Sequence, residues 1–327
     1  MLAFVIRRLL QAAAVMLAVA FVAFALFQYV GDPVLAMVGQ DATPEERQEL
    51  RTSLGLDQPF HAQFGRFVAN AAQGEFGLSY RQGRKVSTLI EERLPATLEL
   101  SLAAAILALS VGIPMGVYSA LRRGRFLSNL FLAVSLVGVS LPTFLIGILL
   151  ILLFAVVLGW LPSYGRGETV AIGWWKTGLL TADGLKHLVL PAVTLCLFQM
   201  ALIMRLVRSE MLEVLRTDYI KFARARGLSD RAVHFGHALK NTLVPVITIA
   251  GLQLGAIIAF SIITETVFQW PGMGLLFIQA VQSADIPIMA AYLCLIALVF
   301  VLINLVVDLL YFAVDPRLRI SASTGSH

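Results

Sequence analysis

The sequence predicts an all-α integral membrane protein with six transmembrane helices. Hydrophobic residues make up 58% of its 327 residues and charged residues only 14%, and its mean hydropathy is +0.83. A soluble domain has about 45–50% apolar and about 25% charged residues, so the excess of apolar side chains must face lipid. Six apolar runs are each long enough to cross a hydrocarbon core of about 30 Å as a helix. This composition argues against a water-soluble enzyme.

The six predicted spans follow directly from the positions of the apolar runs. The first run begins after Arg7 and Arg8, and its length favours an uncleaved anchor over a signal peptide. The third run is longer than one span needs, and we expect it to tilt or break at Pro142, because proline removes a helical hydrogen bond. The predicted spans are Leu9–Val30, Thr97–Ala120, Leu130–Leu158, Leu188–Leu206, Thr242–Thr264 and Ile286–Phe312.

The distribution of basic residues predicts that both termini are cytoplasmic. Lys and Arg concentrate in residues 7–8, 122–125, 205–240 and 317–319, whereas the short loop 271–285 contains neither. Cytoplasmic loops carry this excess of positive charge. The tryptophans fall at the outer ends of the spans or in outer loops, which is typical of an interfacial belt. They are Trp160, Trp174, Trp175 and Trp270.

Two short helices are predicted in the large extracytoplasmic loop, residues 31–96. The run Thr43-Pro44-Glu45-Glu46 has the N-cap, first-position proline and glutamate of a capping box, and Gly55 is the expected stop. Residues 59–73 predict a second helix that ends at Gly74. Its apolar face consists of Phe60, Phe64, Phe67 and Val68.

The remaining soluble segments are less regular. Residues 86–93 alternate apolar and charged side chains, which suits a helix lying at the membrane interface, and we expect Pro95 to turn the chain inward after it. The second outer loop, residues 160–186, shows no strong period, and no fold is predicted for it. The polar tail 321–327 is expected to be disordered. These features divide the chain into 1–30, 31–96, a core at 97–320 and the tail.

No catalytic, nucleotide or metal site is predicted. The five lysines each follow a residue other than glycine, so the phosphate-binding loop is absent. Cys196 and Cys294 lie in separate apolar runs, and the histidines show no ligand spacing. The modest net charge of +5 does not indicate nucleic acid as a partner. Any nucleotide must be hydrolysed by another chain.

The long cytoplasmic segment 209–240 carries the most distinctive pattern. Its first part continues the fourth span through Leu215, and Asp218 is the expected N-cap of a short helix that Gly227 ends. An aromatic and arginine face on this helix suits the docking of a partner, whereas a basic connector held by anionic lipid is the alternative. The residues on that face, by helical spacing, are Tyr219, Phe222, Ala223 and Arg226.

The motif at 218–229, Asp-Tyr-Ile-Lys-Phe-Ala-Arg-Ala-Arg-Gly-Leu-Ser, resembles the membrane subunits of binding-protein-dependent ABC importers, specifically permeases of the dipeptide, oligopeptide and nickel class. One departure is Lys221-Phe222-Ala223, where the broad importer pattern begins Glu-Ala-Ala. The resemblance covers most of the chain. Further similar segments are 4–9, 31–33, 54–59, 77–79, 93–100, 237–241 with Pro245, 264–268, 270–274, 304–311 and 315–317.

The resemblance implies the type I ABC importer fold and a subunit of the bacterial cytoplasmic (inner) membrane. The implied partners are a homologous second permease, two ATP-binding subunits that hold ATP and Mg, an extracytoplasmic solute-binding protein and membrane lipid. No cofactor is expected on this chain. The resemblance also implies that the helix at 218–227 transmits closure of the ATPase pair to the spans. The residues expected to couple to the ATPases are Asp218, Tyr219, Lys221, Phe222, Ala223, Arg224, Arg226 and Gly227.

The expected cargo is short peptides. A nickel chelate or a glutathione-like solute is the alternative, and an ATP-independent secondary transporter is the competing class. That class usually has charged residues at the bilayer midplane, and the centres of these spans contain almost none.

Polar residues within spans are candidates for the translocation pathway, because a kink frees carbonyls that must line a cavity or bond across helices. For Glu265, a structural bond to the turn at 270–272 and a role at the outer gate are equally favoured. Gln199, Asn241, Gln253 and Asn304 are expected to hydrogen-bond between helices. The pathway candidates are Ser140, Pro142, Phe144, Ser261, Thr264 and Glu265.

Overall fold

A computed structural model of the protein describes residues 2–29, 34, 43–53 and 57–314. The predictions for residues 31–33, Gly55, 315–317 and 321–327 lie outside the described residues. The described helices are α1 (Leu2–Tyr29), α2 (Pro44–Ser53), α3 (Phe60–Ala72), α4 (Val86–Leu121), α5 (Phe126–Ser140), α6 (Thr143–Leu150), α7 (Ala182–Val214), α8 (Asp218–Ala225), α9 (Leu239–Val267), α10 (Met273–Gln282) and α11 (Ile286–Val314). Two π-helical segments, Ile151–Val157 and Ala232–Ala238, adjoin α6 and α9, and β1 (Val170–Ile172) pairs with β2 (Trp175–Thr177).

The predicted membrane spans are present as long apolar helices. Within the described ranges, five helices are long and apolar enough to cross a membrane, and a bent pair makes six if it crosses as one span. That pair, Phe126–Ser140 and Thr143–Val157, is bent by 111°. Leu141 is extended at φ −89° and ψ 138°, because a following proline disfavours the helical conformation. The predicted break at Pro142 is therefore confirmed.

The predicted turn at Pro95 is wrong. Helix α4 runs without interruption from Val86 to Leu121. Val86 and Leu89, on its first turns, are buried in an apolar cluster that includes Met273 and Ile288 of α10 and α11. The loss of one helical hydrogen bond at Pro95 is small beside this packing, so the helix continues.

The helices predicted in the first loop are confirmed. The Glu46 carboxylate accepts from the Thr43 amide at 2.9 Å, and the Thr43 hydroxyl accepts from the Glu46 amide at 3.3 Å, which is the capping box. On α3, the three phenylalanines of the predicted face surround Phe24 of α1, with ring centroids 5.1 to 5.8 Å from it. They are Phe60, Phe64 and Phe67.

The chain divides into two compact units. The first comprises Met1–Thr97, Ala171–Thr177 and Pro271–Val301, and the second comprises Leu98–Val170, Gly178–Trp270 and Leu302–His327. In the first, buried Asp285 accepts hydrogen bonds from the Ser79 hydroxyl and from the amides of Tyr80 and Arg81. In the second, α7 is the most buried of the candidate spans, with 67% of its apolar window inside.

Two expectations about the outer segments change. Residues 160–186, for which no fold was predicted, contain the β1–β2 hairpin, whose turn includes Gly173 at φ +63°. Trp270 was expected in an interfacial belt, but it is only 1% exposed. The indole lies 5.9 Å from the Arg166 guanidinium, and this cation–π contact accounts for a buried position.

Candidate functional site

The candidate coupling surface is α8 and its flanking residues. The helix begins one residue away from the predicted cap, because Thr217 rather than Asp218 occupies the N-cap position. The Thr217 hydroxyl donates to the Val214 carbonyl at 2.6 Å, so it holds α8 to the end of α7. Asp218 is the first helical residue, where the positive end of the helix dipole stabilises its negative charge. Its carboxylate forms an ion pair with Lys221 at 2.8 Å.

The end of α8 is a Schellman motif. Gly227 has φ +78°, its amide donates to the Arg224 carbonyl at 2.9 Å, and the Leu228 amide donates to the Ala223 carbonyl at 3.3 Å. The predicted stop at Gly227 is confirmed. Ser229 then begins the next helical segment, since its carbonyl accepts from Val233.

One face of α8 is anchored to the rest of the second unit. Ile220 and Ala223 are buried, and they lie on the side that packs against the π-helical segment Ala232–Ala238, where Val233 is also buried. The sequence placed Ala223 on the docking face with Tyr219 and Phe222, and this is wrong. A small side chain three residues after Ile220 belongs to the packing face, because it lets the helix approach its neighbour closely.

Hydrogen bonds connect α8 to the start of α9. The Asn241 amide donates to the Tyr219 hydroxyl at 2.7 Å, which confirms the bond between helices expected for Asn241. One residue later, the buried Thr242 hydroxyl donates to the Ala238 carbonyl at 3.0 Å and lies 3.6 Å from the Met211 sulfur of α7. Hydrogen bonds therefore join α8 to both α7 and α9.

The other face of α8 is exposed and carries an aromatic side chain among basic ones. Phe222 is 64% exposed, and the Arg226 guanidinium lies 5.8 Å from its ring centroid. Lys221 and Arg224 are exposed on the same helix. An exposed aromatic residue flanked by arginines is the composition of a protein-binding hot spot.

Replacement of Gly227 tests how the helix end is held. Valine at φ +78° is strained by about 1–2 kcal/mol, so in Gly227→Val we expect hydrogen exchange of the Leu228 amide to quicken by about 5- to 30-fold. Apart from its chain neighbours, no residue that the structure describes lies within 4 Å of an added Cβ, so the cause is the backbone conformation. Gly227→Asn is the control, because asparagine tolerates this conformation. Unchanged exchange in the valine variant would contradict the assignment.

Comparison with known proteins identifies the family. The family model for the binding-protein-dependent transport system inner membrane component matches residues 112–320. A second family model, for the N-terminal region of such components, matches residues 1–102. The chain belongs to this family. It is a permease, the membrane-spanning subunit of an ABC importer, and such importers combine a permease with ATPase and binding-protein partners.

Relatives match this permease over nearly its whole length. The di/tripeptide transport system permease protein DppB of Pseudomonas aeruginosa is 41% identical over an alignment of 333 positions, which covers 98% of this chain and 99% of the relative. The glutathione transport system permease protein GsiC of Escherichia coli K12 is 38% identical over 321 residues, with 98% and 99% covered. An inward-facing structure of the MetNI methionine ABC transporter, 21% identical, covers 67% of this chain and 93% of that chain with a TM-score of 0.53. Its similarity shows the type I ABC importer fold.

The pathway candidates of the permease fall into two groups. On α9, Ser261, Thr264 and Glu265 are at most 1% exposed, and the Ser261 hydroxyl donates to the Glu265 carboxylate at 3.2 Å. The Glu265 carbonyl accepts from the Trp270 amide, so a bond to the turn exists through its backbone. At the break between α5 and α6, the side chains of Ser140, Pro142 and Phe144 are exposed.

The second unit contains a buried ion pair that was not predicted from the sequence as a candidate site. The Arg166 guanidinium donates to the Glu99 carboxylate at 2.6 Å, with side chains 7% and 5% exposed. The same carboxylate accepts from the Gly178 amide at 3.4 Å. Removing one partner of such a pair typically costs about 3–5 kcal/mol. The one feature of the sequence that could have indicated this ion pair was Glu99, an acidic residue inside the predicted second span.

Other polar groups give no further site. Among the described residues, buried Gln199 has no hydrogen-bond partner for its Oε1 atom, so the bond expected there is not observed for that atom. Within the described ranges, His, Cys, Asp and Glu form no group of three or more that could hold a metal ion.

Proposed function

We propose that this permease imports di- and tripeptides across the cytoplasmic membrane of a bacterium, driven by ATP hydrolysis on separate subunits. Its identity to the P. aeruginosa di/tripeptide permease over 98% of the chain supports this cargo. Glutathione is a second candidate cargo, because the E. coli relative named for it is 38% identical over a similar length.

In this proposal α8 is the coupling helix. The observation that carries it is the exposed Phe222 and Arg226 pair on a helix whose opposite face is buried and whose N-terminal end is bonded to α7 and α9. A cleft in an ATPase subunit receives Phe222, and closure of the ATPase pair moves α8. Because α8 is fastened to two spans, that motion changes their packing and opens the permease to the opposite side.

The partners and orientation follow from the same scheme. Two ATP-binding subunits hold ATP and Mg, a homologous second permease completes the pathway, and an extracytoplasmic binding protein delivers the peptide. Both termini face the cytoplasm, which places α8 and the basic residues 122–125 on the side of the ATPases.

Reconstitution of the assembled importer in liposomes tests the function. With the binding protein and alanyl-alanine on one side and ATP with Mg on the other, we expect accumulation that requires ATP hydrolysis and stops with a non-hydrolysable analogue. Glutathione and a nickel chelate are assayed in parallel, and preferential uptake of either would replace peptides as the cargo. Uphill uptake by the chain alone, without nucleotide, would overturn the proposal in favour of a secondary transporter.

A further inference from the structure

The Glu99–Arg166 ion pair lies where several segments of the second unit converge. Arg166 follows the π-helical segment that ends α6, and Glu99 belongs to α4. The neighbouring Gly165 amide donates to the Phe268 carbonyl at 2.9 Å, beyond the end of α9, and the Arg166 guanidinium faces the Trp270 ring. Gly178, which also bonds Glu99, precedes the start of α7. The ion pair and the contacts around it therefore connect α4 with the segment that follows α6, the segment that precedes α7 and the segment that follows α9.

This convergence is remote from the coupling helix. It lies near the first residue of α7, whereas α8 follows the last one, and a helix of 33 residues is about 50 Å long. In the proposed orientation the ion pair is at the extracytoplasmic end of the second unit. Opening of that end moves the helix ends apart, so the ion pair must separate or be carried with one of them.

Separated charges in a desolvated region need new partners. A pair buried at this depth is poor evidence for a role in stability, because desolvation offsets most of the attraction. Among the residues that the structure describes, Arg166 is the one buried basic side chain, and Glu99 and Glu265 are the buried carboxylates of the second unit. A peptide with free termini carries one carboxylate and one ammonium group. A guanidinium binds a carboxylate through two parallel hydrogen bonds, which an ammonium side chain does not reproduce.

We infer that the Glu99–Arg166 ion pair is an exchange site for the charged termini of the peptide. When the extracytoplasmic end opens, Arg166 binds the terminal carboxylate and Glu99 binds the terminal ammonium. When the peptide moves on, the two side chains pair again and close this end. This inference rests on the proposed function and adds a site at which the permease itself reads the cargo.

The test compares uptake of alanyl-alanine with uptake of alanyl-alaninamide, which lacks the carboxylate, by the complete importer. The same binding protein serves every variant, so its own preference cancels when the ratio of the two KM values is compared between variants. The ratio is the KM for alanyl-alaninamide divided by the KM for alanyl-alanine. We expect Arg166→Gln to bring this ratio at least about tenfold closer to one, and Arg166→Lys to shift it in the same direction by a smaller factor. A matched control is Arg84→Gln, since Arg84 forms an ion pair with Glu92 of the same 2.6 Å length but is 46% exposed. We expect the control to leave the ratio unchanged.

The exchanged pair Glu99→Arg with Arg166→Glu separates recognition from structure. It keeps an ion pair at this position but reverses its polarity, so we expect normal assembly and ATPase activity with uptake of alanyl-alanine reduced about tenfold or more. Full uptake by the exchanged pair, or an equal rise of both KM values in Arg166→Gln, would overturn the inference and leave the proposed function intact. Absence of peptide uptake by the wild-type importer would overturn both.

Discussion

Phe222→Ala is expected to reduce ATP-dependent uptake about 100-fold, because truncating an aromatic hot spot costs about 3 kcal/mol of interface contact. The side chain is 64% exposed and projects from the face of α8 opposite Ile220 and Ala223. Its loss therefore leaves the fold and the membrane content of the permease unchanged. The measurements are peptide uptake by the reconstituted importer and the amount of ATPase retained on the purified permease. Both are expected to fall together.

The matched control is Phe235→Ala. Phe235 is 53% exposed and lies in the π-helical segment that follows α8, so the substitution removes a similar apolar area from the same part of the chain. We expect uptake within about twofold of wild type, since surface substitutions outside an interface change stability by about 0.5 kcal/mol or less. Full uptake and normal ATPase content in the Phe222→Ala importer would show that α8 is not part of the coupling interface. Phe222→Leu keeps apolar bulk at this position, so its uptake is expected to lie between that of Phe222→Ala and that of the wild type.

Much of the structure of the coupling segment can be predicted from the sequence because it depends on local patterns. A helix stop depends on one backbone conformation that glycine adopts without strain, so Gly227 alone predicts it. The same holds for the capping box at Thr43 and Glu46 and for the break at Pro142. Each of these features is decided by residues within one helical turn.

Features that depend on distant parts of the chain were not predictable in this way. Glu99 and Arg166 are 67 residues apart, and Ser79 and Asp285 are 206 apart, so no local pattern pairs them. Pro95 is a helix breaker by propensity, but packing of the preceding turns keeps the helix continuous. Propensity is a weak prior, and tertiary contacts override it. Ala223 was misplaced for the same reason, because its neighbour across the packing face is a residue of another segment.

Gly116→Leu is expected to produce a large loss of stability. A Cβ atom at Gly116 would lie 2.7 Å from the Met204 carbonyl oxygen and 2.7 Å from Val207 Cβ, both on α7. Gly112, one turn earlier on α4, is nearly as close to α7, with 3.0 Å to the Met200 oxygen. Small residues four apart let the backbones of membrane helices approach closely, and a leucine forces them apart. We expect a loss of about 3 kcal/mol or more in the free energy of unfolding in detergent.

The control for this prediction is a glycine at a looser contact with the same helix. A Cβ at Gly138 on α5 would lie 3.5 Å from the Leu197 oxygen, an ordinary van der Waals distance. Gly138→Ala is therefore expected to change the unfolding free energy by about 1 kcal/mol or less, in the stabilising direction that helix propensity favours. Unfolding midpoints of the two variants that coincide would contradict the close contact between α4 and α7.

A double-mutant cycle identifies which contact at Gly116 causes the loss. Gly116→Ala alone adds the Cβ that meets both the Val207 side chain and the Met204 carbonyl. Val207→Ala alone removes the Val207 methyl groups, including Cγ1 at 2.9 Å, but leaves the Cβ of residue 207 and the Met204 carbonyl in place. Because the double variant loses the Cγ1 clash but keeps the clashes with the Cβ of residue 207 and with the carbonyl, we expect it to be more stable than the sum of the single losses predicts, by about 1 kcal/mol. Strict additivity would mean that the carbonyl and the Cβ of residue 207 set the separation of the two helices, and recovery to the stability of Val207→Ala would mean that the Val207 methyl groups do.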